Sequence, residues 1–313
     1  MSLLSIEHLE SHFVTEDGLV KAVDDVDLEI DKNETLGLVG ESGCGKTVLA
    51  LSILKLLSEN TKTTGKIVYK GKDLLKLNDA ELQAIRGKEI AHIFQNPLSS
   101  LNPVLSVGFQ ISEPFMLHQN ARKAQALGEA VEMLNLVGIP LPRERAREYP
   151  HEFSGGMRQR VMIAMGLACR PSLIIADEPT RGLDVTIQAQ VVELMKELID
   201  TSEASMLLIT HDLSLAAELC DKIAVMYSGE ILEYADTKEF FKQPAHPYSV
   251  GFLESLPSRG MKPIRGISPS LINPPHGCRF CPRCDQSMKK CKAIHPSLLK
   301  AKDGQFARCH LYA

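Results

Sequence analysis

Gly40-Glu41-Ser42-Gly43-Cys44-Gly45-Lys46-Thr47 has the spacing of a loop that grips phosphate: two bounding glycines, then a lysine and a hydroxyl. Glycines let backbone N–H groups curl inward around phosphate oxygens, where side chains would obstruct. A helix opening at Lys46 adds its positive N-terminal end. The expected cradle is Gly40, Ser42, Gly43, Cys44 and Gly45, running into Lys46, Thr47 and Val48. Lys46 should reach the β- and γ-phosphates of a nucleotide, and the Thr47 hydroxyl should bind Mg²⁺. Cys44 takes a variable position of the loop and is given no redox role.

Two further segments fit the same chemistry. Leu173-Ile174-Ile175-Ala176-Asp177-Glu178 is an apolar strand ending in two carboxylates. Asp177 is placed to hold the Mg²⁺ shell, and Glu178 to polarise a water for in-line attack on the γ-phosphate. On its own such an acidic pair is usually a helix cap; with the phosphate loop it becomes specific. Ser154-Gly155-Gly156 opens a strongly helical run to Cys169. The free N–H groups of a first helical turn form an anion site, and two glycines there cost helix stability without improving a cap.

A second kind of chemistry sits at the other end of the chain. Of the 8 cysteines, Cys44, Cys169 and Cys220 are scattered, while Cys278, Cys281, Cys284, Cys291 and Cys309 crowd the last stretch. In a reducing compartment such a cluster reads as metal ligation before disulfide. A four-cysteine iron–sulfur cluster and a structural Zn²⁺ both suit thiolates in a proline-rich segment with little apolar content.

The elements that must position these groups alternate along the chain. Residues 4–9 and 22–30 read as strands with one polar face, and Thr35–Val39 as a buried strand. A helix should run from Lys46 to about Leu57, followed by strands near Ile67–Tyr69 and Ile90–Phe94. Helical patterns dominate residues 97–165, at Val107–Leu117, Ala121–Val137 and Arg143–Glu148. Strands resume at Leu173–Ala176, Met206–Ile209 and Ile223–Met226, with a helix at Thr186–Ile199. That order implies an α/β fold with a largely parallel sheet covered by helices. Beyond Pro244 the pattern breaks up, and Pro247, Pro257, Pro263, Pro269, Pro274 and Pro275 make the segment loop-like.

Composition narrows the class. The 313 residues are 44% hydrophobic and 24% charged, which excludes a mostly disordered chain. A formal net charge of −4 counts against a coat for nucleic acid. No apolar run approaches the ~20 residues that span a bilayer. The N-terminus lacks a basic leader region, so the chain is expected to begin and end in the cytoplasm.

Taken together, the motifs resemble those of the ATP-binding subunit of ABC transporters, over roughly residues 1–245. The resemblance includes the phosphate loop, Gln95 in Ile93-Phe94-Gln95-Asn96-Pro97, Ser154-Gly155-Gly156, Asp177-Glu178, Gly182-Leu183-Asp184 and Thr210-His211-Asp212, in the family's order. It implies an ABC-type nucleotide-binding domain with a helical insertion at about 97–165 and a small cysteine-rich extension, 246–313. It also implies that Phe13 stacks on adenine and that Gln95 touches Mg²⁺ or the attacking water. His211 would sense the γ-phosphate, and Asp184 would contact an opposing subunit. Two such domains pack head to tail, so Ser154, Gly155 and Gly156 of one would cap ATP held by the other. Phe153 and Met157 stand where leucine and glutamine are common, and Arg181 where a small residue is common.

Within the family, the insertion is too short for the coiled coil of DNA-repair members, and one motif set argues against the fused translation factors. His246-Pro247-Tyr248 and the terminal cysteines resemble the oligopeptide, dipeptide and nickel importer branch. That branch implies ATP hydrolysis powering peptide import from the cytoplasmic face of the membrane. Its partners would be two integral permease subunits, a second ATP-binding subunit that is identical or a paralogue, and an extracytoplasmic peptide-binding protein. No nucleic acid is expected, and a soluble ABC ATPase regulating a nucleic-acid or ribosomal process is the alternative. The tail resembles a [4Fe–4S] binder with Cys278, Cys284, Cys291 and Cys309 as ligands, Zn²⁺ being the alternative metal and Cys281 the competing ligand. Because all phosphate-handling motifs precede the tail, loss of the cluster is expected to spare ATP binding.

Overall fold

The computed structural model describes residues 2–313. Contacts gather the chain into two units, one built from the chain up to Lys76 and from Leu208 onward, the other from Leu77–Leu207. The tail belongs to the first unit, where its strand Gln305–Ala307 pairs with Glu230–Asp236.

In the first unit Ser2–Thr15 and Gly18–Asp31 form one long hairpin, extended by Thr61–Tyr69 and Lys72–Asp73 into an antiparallel sheet. Leu4, Ile6, Leu9, Val23, Val26 and Ile30 bury its inner face. The strands outrun the expected 4–9 and 22–30 because polar residues beyond the core still pair across the hairpin, as His12 does with Lys21. A second set of strands runs in the order Leu299–Lys302, Gln305–Ala307, Glu230–Asp236, Lys222–Tyr227, Thr35–Val39. The last two are parallel and the others antiparallel. Thr35–Val39 is buried throughout, as a strand covered on both faces must be. The helix after it spans Lys46–Ile53 and ends short of Leu57, because Lys55 turns into the left-handed region at φ 48°.

The tail departs most from expectation. Where loop is expected, helix Pro247–Glu254 and two strands form. Gln305–Ala307 joins the edge of Glu230–Asp236, with Phe306 opposite Tyr234. Buried charge, more than apolar periodicity, anchors it: Arg279, Arg283 and Arg308 are all buried, and so is Glu233. Glu233 accepts hydrogen bonds from the Ala245 and His246 N–H groups (2.8 and 2.7 Å) and from the Gln305 side chain (2.9 Å).

In the second unit Ile90–Ile93 and Leu173–Asp177 form a parallel pair. Helices Val107–Gln119, Lys123–Leu136, Gly155–Leu167 and Val185–Ser202 make up most of the rest. The first stops where Asn120 takes a left-handed conformation (φ 54°). The helix expected at Arg143–Glu148 is a single turn, Pro142–Arg145, started by its proline.

Candidate nucleotide site

Parallel pairing of Thr35–Val39 with Lys222–Tyr227 sets Val39 opposite Val225, so the loop after Val39 runs beside Met226–Gly229. The Gly229 N–H donates to the Cys44 carbonyl (2.9 Å). Gly45 has φ 113°, and a Cβ there would meet the Ala22 carbonyl oxygen at 2.0 Å. Only glycine closes this turn, which curls the loop's backbone as an anion cradle requires. Lys46 is buried and its ammonium donates to the carbonyls of Gly40 (2.8 Å) and Glu41 (2.9 Å), holding the positive charge inside the turn. Thr47 follows in the first turn of the helix. Phe13 is half-buried on the hairpin. His211 lies exposed just past strand Ser205–Thr210. Its turn is fixed by Asp212, which caps helix Leu213–Leu219 by accepting from Ser214 N–H (2.8 Å).

In the second unit register alone brings the expected catalytic groups together. Ile93 pairs with Ala176, so Gln95 and Glu178, each two residues further, leave the same end of the strands. The Gln95 amide donates to Glu178 Oε2 (2.7 Å), and Arg181 donates to the same oxygen (3.1 Å). Glu178 is buried, with φ 45°, a left-handed conformation that costs a non-glycine residue ~1–3 kcal/mol. Asp177 ends the strand beside it and is buried. Ser154 caps helix Gly155–Leu167 by accepting from Met157 N–H (3.3 Å). A Cβ on Gly156 would strike Ile187 Cγ2 at 2.4 Å, so this glycine also serves helix packing. Asp184 is exposed and caps helix Val185–Ser202 through Ile187 N–H (3.1 Å).

The tail is not remote from the phosphate loop, as its distance along the chain suggests; it touches it. Arg283 forms a two-pronged ion pair with Glu41, at 2.9 and 3.0 Å. Ser268 donates to the same carboxylate. The Glu41 N–H donates to the Tyr248 hydroxyl (3.2 Å). Burial alone would raise the Glu41 carboxyl, but bonds from Arg283 and Ser268 and the nearby Lys46 charge hold it below its ordinary value. Arg279 likewise pairs with Asp24 and Glu230. His246 caps helix Pro247–Glu254 by accepting from Tyr248 N–H (3.0 Å). Its burial pushes the imidazole down to about 3.

The five tail cysteines are buried and free of disulfides. Burial, with the charges of Cys309 and Cys291 adding to it, pushes Cys278 up to about 12; Cys284 and Cys309 are raised for the same reasons. Among the described residues no three of these sulfurs lie within 4.8 Å of one another. Buried thiols are soft donors, the kind that iron–sulfur clusters and structural Zn²⁺ both take.

The ABC transporter profile matches residues 23–181, and that of the oligopeptide/dipeptide transporter C-terminal region matches residues 232–291. The dipeptide transport ATP-binding protein DppD of Bacillus subtilis is 46% identical over 99% of this chain and 94% of its own length. The chain belongs to the ABC transporter family. Among other relatives of this ABC ATPase, the oligopeptide transport ATP-binding protein OppD of Escherichia coli is 45% identical over 98% of the chain and 93% of its own length. A solved dimeric ATP-binding cassette, in a post-hydrolysis state bound to ADP and Pi, superposes with a TM-score of 0.67 at 26% identity. It covers 75% of this chain and 98% of that one, which establishes the P-loop α/β fold.

Sequence reasoning missed Glu41, Ser268, Arg279 and Arg283 as functional neighbours, and used Tyr248 only as a family mark. The available signal was two arginines between closely spaced cysteines, Arg279 and Arg283, with no acid among Cys278–Cys284 to pair them.

Proposed function

We propose that this chain is the ATP-hydrolysing subunit of an importer of di- and oligopeptides, acting peripherally at the cytoplasmic face of the membrane. The observation that carries the reading is near-full-length relatedness to dipeptide and oligopeptide transport ATP-binding proteins, tail included. No helix among the described residues is long and apolar enough to cross a membrane, so the path for peptide belongs to two permease subunits. A second ATP-binding subunit completes the motor, and an extracytoplasmic binding protein delivers the peptide.

Each unit contributes its own groups. In the first, the glycine-lined loop and Lys46 bind the phosphates, Thr47 offers Mg²⁺ a hydroxyl, Phe13 stacks on the base and His211 senses the γ-phosphate. In the second, Asp177 and Gln95 offer hard oxygen donors that suit Mg²⁺. Glu178 takes the proton of the attacking water, oriented by Gln95 at 2.7 Å. Ser154, Gly155 and Gly156 present a helix N-terminus to ATP on the partner subunit, and Asp184 contacts that subunit. Residues 97–165 form the helical insertion that meets the permeases, and 246–313 the cysteine-rich extension.

Cys278, Cys284, Cys291 and Cys309 would hold a [4Fe–4S] cluster, supported by four buried soft donors. Such a cluster supplies a cross-link that orders the tail. Iron and sulfide analysis of anaerobically purified protein tests it; colourless protein without iron overturns it.

The transport reading is tested in vesicles holding the ATPase with the integral permease pair that co-purifies with it. Peptide with its binding protein should stimulate ATP hydrolysis and accumulate inside. Co-purification with ribosomes and peptide-insensitive turnover would overturn it.

A further inference from the structure

We propose that Arg283 is a positioning residue for ATP binding, acting through Glu41 of the phosphate loop. The inference rests on that loop's binding ATP and adds a control over it from the far end of the chain. Glu41 puts a negative charge among groups meant to receive a polyphosphate. Its carbonyl accepts from the Lys46 ammonium at 2.9 Å, and the Lys46 charge already acts on its carboxylate. Unpaired, that carboxylate repels the nucleotide and competes with it for Lys46.

Arg283 removes both effects. Its two nitrogens meet the two carboxylate oxygens, the bidentate geometry that fixes direction as well as charge. The guanidinium is itself held: Nε donates to the Arg265 carbonyl (2.9 Å), and Nη1 also reaches the Tyr227 and Ser268 hydroxyls (3.3 and 3.1 Å). Its backbone sits in the turn Cys281–Arg283, closed by bonds from Cys281 N–H to the Cys278 carbonyl and from Cys284 N–H to the Cys281 carbonyl. Phe280, in the same knuckle, packs against Tyr227 and Tyr248 with ring centroids 5.5 and 5.4 Å away. Tyr248 in turn takes the Glu41 N–H. The ordered state of the cysteine knuckle is thereby transmitted to the loop through one rigid side chain.

The test is equilibrium titration of the full-length chain with Mg²⁺–ATP, with melting temperatures measured alongside. Arg283→Ala should weaken ATP about 10–100-fold, the range of a lost charge-assisted pair. In a Glu41→Gln background the same change should cost less than about threefold, since no carboxylate is left to orphan. Equal losses in both backgrounds would mean that Arg283 merely supports the fold, and no loss in either would mean that it does not touch binding; both overturn the proposal. If Arg283→Ala does not fold, Arg283→Lys replaces it, with a smaller loss expected only when Glu41 is present. Failure of the parent chain to bind ATP would instead overturn the ATPase reading.

Discussion

Glu41 and Glu178 are two glutamates in the two halves of one ATPase, and their surroundings are opposite. Glu41 lies in relaxed loop backbone and is neutralised on both oxygens by a buried arginine. Glu178 is itself buried, sits in strained backbone and receives one amide and one exposed arginine, both on Oε2. The contrast teaches that a carboxylate beside a nucleotide is either silenced or kept reactive by what surrounds it. Full pairing makes Glu41 a strut, while Glu178, in left-handed backbone beside Gln95, is the carboxylate proposed above as the base.

The largest effect should separate them by turnover. Glu178→Gln should lower steady-state hydrolysis in the assembled transporter ~10²–10⁴-fold while ATP affinity holds. If Glu41→Gln lowered turnover as much, the two glutamates would not differ in kind. Next, Glu178 should need company that Glu41 does not. The isolated chain should bind ATP independently of its own concentration but hydrolyse it slowly, at a specific rate that climbs with concentration. Fast turnover by a proven monomer would break the distinction.

A smaller effect sharpens the Glu41 side through acid. His246, two residues before the tyrosine that holds Glu41, is depressed to about 3. A buried neutral imidazole contributes stability that is complete above the unfolded value near 6.5 and is lost as pH falls toward 3. Glu41, depressed as well, adds loss below its own unfolded value of about 4.5. His246→Asn keeps a cap acceptor and removes the titration. It should flatten the fall of melting temperature between pH 6.5 and 4, by at most about 1.4 kcal/mol per pH unit. Part of the slope should survive, because His92 in the other unit is depressed to about 4 by its own burial. An unchanged slope in the variant would clear His246. Least of all, Arg181→Ala should change turnover less than about fivefold, as befits an ion pair whose arginine is 56% exposed.

The groups that handle phosphate were legible because each is local. A glycine turn, a capped helix and a strand ending in acids are written in a few adjacent residues, and the family order of the motifs did the rest. From the resemblance Gln95 was read as touching Mg²⁺ or the attacking water, and its bond to Glu178 was not foreseen; the cause of that bond is register, Ile93 against Ala176, which no single segment displays. The tail was read as loop because it lacks apolar periodicity. Its order comes instead from Arg279, Arg283, Arg308 and Glu233, buried side chains whose partners lie far along the chain. Hydropathy scores such residues as solvent-facing, so a segment ordered by buried ion pairs looks like one that is not ordered at all.

The pairing of Glu41 with Arg283 joins residues 242 positions apart. On the ribosome the phosphate loop emerges well before its arginine. At about 5–20 residues per second the loop waits roughly 12–50 s before its strut exists. The nascent chain therefore carries an unbraced phosphate loop through that interval.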